Sequence, residues 1–225
     1  MGVDFLTGDK VSIENGQCII RFARKAVEEW VKNNKTLHET PPQQIFNENH
    51  GLMLSIHHYP SRKLHGRIGY PYPLKGVAEV LVRCAVSACQ DPRSPSLKSS
   101  DLNNVIIEVS VLSQPRLLIK PYEKNFNPNK EGLVVVRGAK HALMMPGDIP
   151  KSGKDAITEI MKRAEIENTD NITKFYKFET QTFFETAPSG GIMEKTGAKP
   201  AKKDAGIAIA SKLKNNKQFK HKKRD

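Results

Sequence analysis

The sequence predicts an α+β fold built on antiparallel sheet. Segments of helical period and segments of strict alternation follow one another irregularly, and the strands come as hairpin-like neighbours rather than in βαβ order. The chain has 225 residues, 38% hydrophobic and 27% charged, which suffices for a substantial core in one or two domains. No internal repeat interrupts this reading.

Ser12 stands where an N-cap belongs, and the helix it opens is expected to run to about Asn33. Cys18, Ile19, Phe22, Ala23, Ala26, Val27 and Trp30 fall on one stripe of that helix, while Arg24, Lys25, Glu28, Glu29 and Lys32 take the wet face. A polar connection containing Pro41-Pro42 follows. Gly51 then opens an alternating strand, Leu52–His57, and Tyr59–Lys63 turns it into a second strand, Leu64–Tyr70. Pro71-Tyr72-Pro73 breaks that strand before a helix over Leu74–Cys89, whose stripe is Val77, Val80, Leu81, Cys84, Ala85 and Ala88. Asp91-Pro92-Arg93-Ser94-Pro95 reads as a turn, with Asp91 and Arg93 expected to pair across it. Strands are expected at Val105–Leu112, Gly132–Val136 and His141–Met145. A helix over Lys154–Ala164 and a long last strand, Thr173–Phe184, complete the set.

The net charge of +12 is unevenly spread. Residues 187–225 hold 11 Lys or Arg against 3 acidic residues, a net +8, and the remaining 186 residues carry only +4. Pro188-Ser189-Gly190-Gly191 loosens the chain there, and low hydrophobicity with high charge predicts a disordered basic tail. Ile207-Ala208-Ile209-Ala210 is too short to form a core. Lys212, Lys214, Lys217, Lys220, Lys222, Lys223 and Arg224 can neutralise phosphates, which allows sequence-independent nucleic-acid binding; a solvated, solubilising tail is the alternative.

No apolar run approaches the roughly 20 residues of a membrane helix. The N-terminus lacks a signal-peptide pattern, and Leu6 stands where myristoylation wants Ser or Thr. A cytoplasmic location and no membrane partner are therefore expected. Cys18, Cys84 and Cys89 cannot all pair. Cys84 and Cys89 are about 140° apart around a helix, so they are expected to be buried, reduced hydrophobes.

The first hairpin carries the chemistry. Leu52, Leu54 and Ile56 must share a face with Leu64 and Ile68, which sets Ile56 opposite Gly66, His57 opposite His65 and Ser55 opposite Arg67. One face then presents Ser55, His57, His65 and Arg67 together, with Gly66 and Gly69 offering close approach to the backbone. Three readings stay open: an anion site for a carboxylate, phosphate or nucleotide; a metal held by His57 and His65, which lacks further ligands and has a cation beside it; and a contact between subdomains in which these side chains satisfy buried carbonyls. No metal is expected. Gly66-x-x-Gly69 lacks the third glycine, the lysine and the helix of a phosphate-binding loop.

Leu64-His65-Gly66-Arg67-Ile68-Gly69 resembles the Leu-Arg-Gly-Cys-Ile-Gly hexapeptide of the AMMECR family. Asp91-Pro92-Arg93, Glu108-Val109-Ser110-Val111-Leu112-Ser113 and Phe175-Tyr176-Lys177-Phe178 resemble its turn and two of its strands, in order, from about Ser12 to Thr186. His65 and Arg67 stand where that hexapeptide has arginine and cysteine, so a cysteine nucleophile is not expected at this place. The resemblance, closest to archaeal members, implies an AMMECR-like domain over residues 1–186 with two antiparallel-sheet subdomains. The smaller is inserted at about 71–128, and the hexapeptide faces the cleft between the two. It also implies that Phe22, Ala26 and Trp30 pack against the sheet holding Phe175, Tyr176 or Phe178. An anionic small molecule or a protein partner in the cleft is the expected function. An enzyme or accessory subunit acting with Memo-type and radical-SAM proteins is the alternative the resemblance adds.

Overall fold

The computed structural model of the chain describes residues 10–72 and 75–195, and the short stretch 208–209. Helix α1 spans Ile13–Asn33. Ser12 caps it as expected: its Oγ accepts the Asn15 N–H at 3.1 Å, satisfying one of the free donors of the first turn. The helix stops at Asn34, whose left-handed backbone (φ 52) returns its N–H to the Trp30 carbonyl at 2.8 Å.

Strand β1 (Gly51–His58) turns into β2 (Leu64–Tyr70), and α2 follows over Val77–Cys89. Then come β3 (Val105–Leu112), the short β4 (Arg116–Leu118), β5 (Glu131–Arg137) and β6 (Lys140–Met144). Helix α3 (Gly153–Arg163) precedes β7 (Lys174–Glu185), β8 (Ile192–Glu194) and the two-residue β9 (Ala208–Ile209). They make one curled sheet in the order β6-β5-β7-β3-β1-β2-β9, antiparallel except for β9 beside β2.

The 12-residue β7 is the spine. Its first half pairs with β5 and β4, and its second half with β3 and β8. Each half of the sheet has its own apolar layer. Helices α1 and α2 cover β1, β2 and β3 over Phe22, Leu54, Ile56, Leu81, Ile107 and Phe183. Helix α3 covers β4, β5 and β6 over Leu118, Leu133, Val135, Ile160 and Phe175. A smaller cluster joins them, with Met53 and Leu112 from one half against Val134, Leu143, Met145 and Phe178 from the other.

Phe22 and Ala26 are buried and Trp30 is half-buried against the sheet that holds Phe175, Tyr176 and Phe178, which they meet at the Phe183 end of β7, because β7 crosses both layers. Three expectations are corrected here. The segment 71–128 is not a unit, since α2 and β3 belong to the first layer and the second draws on Leu118 to Phe175. The fold does not end at residue 186. Strand β8 pairs Phe183 with Glu194, and the Lys195 N–H continues to the Thr182 carbonyl at 2.7 Å. Within the expected tail, Ala208 and Ile209 pair with Ile68 and Gly69 on the outer edge of β2. Among the described residues, no helix is long and apolar enough to cross a membrane.

Candidate functional site

The hairpin keeps its expected register for most of its length and then slips. Leu54 faces Ile68, Ser55 faces Arg67 and Ile56 faces Gly66, but His57 faces Leu64. His65 is therefore the extra residue of a bulge, which turns its side chain to the opposite face from Arg67. There its Nδ1 lies 3.4 Å from the His58 Nε2, with the two rings edge to face. The expected pairing of His57 with His65 is thus corrected, and the two imidazoles cannot share a metal. Among the described residues, no three His, Cys, Asp or Glu side chains converge as a metal set.

Neither glycine leaves room for a ligand. A Cβ on Gly66 would stand 2.1 Å from the Ala88 carbonyl oxygen, so Gly66 lets the end of α2 lie on the sheet. A Cβ on Gly69 would stand 2.6 Å from the Met53 methyl group, so Gly69 makes room for that side chain. Both roles are packing roles.

Arg67 and Ser55 do face the cleft. The Asp91-Pro92-Arg93 turn fixes the backbone beneath Arg67: an Asp91 carboxylate oxygen accepts the Arg67 N–H at 3.2 Å, and the Arg93 guanidinium donates to the Arg67 carbonyl at 3.3 Å. Asp91 and Arg93 also pair directly at 2.6 Å, as expected. Burial pushes the Asp91 carboxyl up, but hydrogen bonds from Arg93 outweigh it and hold the group below its ordinary value. From this base, Arg67 Nε donates to Ser55 Oγ at 3.0 Å. Its Nη1 meets Asp148, in the turn after β6, at 3.2 Å. That ion pair spans the two halves of the sheet, with both side chains only 11% exposed.

Around the pair lies a cavity of about 280 Å³ lined largely by polar side chains. Its floor takes Ser55 from β1, Arg67 from β2, Glu108 and Ser110 from β3 and Thr182 from β7. Asn129, Lys130, Pro146 and Asp148 form its far wall. Ser110 and Thr182 share a hydrogen bond of 2.8 Å, and Lys195 approaches Glu108 at 3.5 Å. Glu108, Ser110, Asp148, Thr182 and Lys195 were not among the candidates read from the sequence. Glu108 carried a signal all the same, being the one charge in an otherwise largely apolar strand.

His57 sits on the cleft-side face one pleat beyond Ser55. The Arg62 carbonyl takes its Nδ1 proton at 3.1 Å, which leaves a bare Nε2, buried and without a hydrogen-bond partner among the described residues. Burial lowers its pKa, so the ring is held neutral. Cys84 and Cys89 are also buried. Burial pushes both thiols up, Cys89 to about 12, far from nucleophilic thiolates. The basic run from Lys212 to Arg224 lies outside the described residues.

The sequence profile of the AMMECR1 family matches residues 20–183, a span that holds the hairpin, the Asp91 turn and nearly all of the cavity's walls. The chain belongs to the AMMECR1 family. Protein MK0488 of Methanopyrus kandleri is 33% identical over 201 residues, covering 84% of this chain and 97% of that one. Protein PH0010 of Pyrococcus horikoshii is 32% identical over 202 residues, covering 83% and 97%. The crystal structure of PH0010, an uncharacterized protein by its own description, superposes with a TM-score of 0.76 at 30% identity, covering 83% of this chain and 99% of that one. This AMMECR1-family chain is thus similar to archaeal proteins along nearly their whole lengths.

Proposed function

We propose that this AMMECR1-family chain binds a small anionic ligand in the cleft between the two halves of its sheet, with Arg67 as the anchor. The carrying observation is a guanidinium held almost out of bulk water yet lining an open, hydroxyl-rich cavity. Such a group, with its planar fork of donors, is suited to a carboxylate or phosphate. Lys130 and Lys195 add positive charge at the rim, while Ser55, Ser110 and Thr182 offer hydroxyls that can donate or accept. The cavity, about 280 Å³ and open to solvent on one side, has room for a small acid and lies near the lower end of the range that small-molecule sites take. A reducing, cytoplasmic setting suits its three free cysteines.

A charge-assisted hydrogen bond contributes about 1.5–3 kcal/mol, so Arg67→Ala should weaken glutarate, phosphate or sulfate about tenfold or more. Calorimetric titration of wild type and variant with these three anions and with L-glutamate is the test. Equal affinity of the two proteins for every one of them would sink the proposal.

A further inference from the structure

We infer that the ligand of this cleft is a zwitterion of the amino-acid class, its anionic end on Arg67 and its ammonium end facing the carboxylates of Asp148 and Glu108. The inference rests on the anion-site reading above and narrows it.

The cavity is not a basic patch. Arg67, Lys130 and Lys195 line it, but so do Glu108, Asp148 and Glu179, three positive groups against three negative. A simple anion would have to take Arg67 from Asp148, bringing two negative groups onto one guanidinium where both partners are only 11% exposed. Water is scarce there, and like charges repel strongly in such a medium. A zwitterion meets no such obstacle. It enters between Arg67 and Asp148, re-pairs each with its own opposite charge and leaves the cavity as neutral as it was. The floor repeats the pattern at longer range. Arg67, Ser55 and Glu108 stand directly opposite one another across β2, β1 and β3, which sets a cation, a hydroxyl and an anion in a row. Two cross-strand steps of ~5 Å separate the Cβ atoms of Arg67 and Glu108 by about 10 Å. A cavity of about 280 Å³ also has room for an amino acid.

The experiment compares acids that differ only in the amine: L-glutamate against glutarate and L-serine against 3-hydroxypropionate, by calorimetry on the full chain. In wild type, at least one amino acid should bind ten times or more tighter than its amine-free counterpart. Asp148→Asn should reduce that ratio below about threefold, because the simple acid gains a freed Arg67 while the amino acid loses a partner; Glu108→Gln should reduce it in the same direction. If glutarate or phosphate binds as well as or better than every amino acid, and Arg67→Ala weakens it, the anion site stands and the zwitterion inference falls. If no amino acid or anion responds to Arg67→Ala, both fall together. The wild-type comparison decides the matter even where a variant fails to fold.

Discussion

Arg67 owes its position to contacts that its own guanidinium does not make. Its backbone N–H and carbonyl are tied to Asp91 and Arg93, which close the edge of β2 at that residue and give the side chain a fixed starting point. The neighbouring His65 shows what alternation cannot reveal. Counting apolar residues along Leu64–Tyr70 assumes constant register, and a one-residue bulge at His65 shifts the pairing there, so that Leu64 falls opposite His57 while Gly66 and Ile68 keep their expected partners. The consequence is measurable. Burial, and after it the His58 ring, lowers His65 from its ordinary 6.5, and burial lowers His57 as well. A histidine with a depressed folded-state pKa binds its proton more readily when the chain unfolds, so protonation favours the unfolded state. Stability should therefore be level above about pH 7.5 and fall as pH drops through about 6.5 towards 5, a window above the carboxylate range. His65→Gln, which cannot titrate, should lose part of that fall. Urea midpoints at the two ends of the window test this, and an equal acid loss in wild type and variant would remove His65 from the account.

At the scale of elements, long periodic segments were legible and short ones were not. Ser12–Asn33, Leu64–Tyr70 and Val105–Leu112 read almost to the residue, because each carries enough apolar positions to define a period. Strands β4 and β8 have three residues each, too few to show alternation, and both form only because β7 offers them an edge. Which end of β7 α1 covers was not legible for a related reason. Nothing in Thr173–Phe184 says that one strand serves two layers, with Phe175 in one and Phe183 in the other. Glu185 locks the end of β7 into the first layer. Its carboxylate accepts from Arg24 of α1, at 2.9 Å from Nε and again from Nη2, and from the Ile107 N–H of β3 at 2.9 Å. Arg24 also donates to the carbonyls of Leu102 and Val105. Glu185→Ala leaves a buried guanidinium without its counter-charge and should cost about 3–5 kcal/mol. Replacing both partners, Arg24→Leu with Glu185→Leu, removes both charges and should cost less than the sum of the single changes. Urea unfolding of the two single variants and the double variant tests this; strict additivity would show that the pair is not coupled.

For the whole molecule, the excess of positive charge begins after Lys195 rather than after residue 186. Residues 196–225 carry ten Lys or Arg against two acidic residues, and the preceding 195 carry a net +4 that includes the cavity's balanced set. Lys195 belongs to the folded part because it faces Glu108 and extends the β8 pairing with β7. The far wall of the cavity was illegible in the sequence for the same long-range reason. Asp148 and Lys195 reach Arg67 and Glu108 only through strand pairing between segments far apart along the chain. A truncation that tests the tail must therefore end after Lys195, and it also removes Ala208 and Ile209 from the edge of β2. A basic run without a base-reading scaffold neutralises phosphates but cannot discriminate sequence. If this run engages nucleic acid rather than serving as a solvated tail, the full chain should bind duplex DNA or RNA of any sequence. On duplex DNA its affinity should fall with salt at a log–log slope of about −4 to −6, the value for four to seven phosphate contacts at ~−0.9 each. The chain ending at Lys195 should lose that binding and keep the cleft's affinity for its acid, since every described residue lining the cavity is retained. A salt titration of both chains on duplex DNA, read beside calorimetry with the cleft ligand, separates the two surfaces. Undiminished nucleic-acid binding by the shorter chain would place that contact on the folded body instead of the tail.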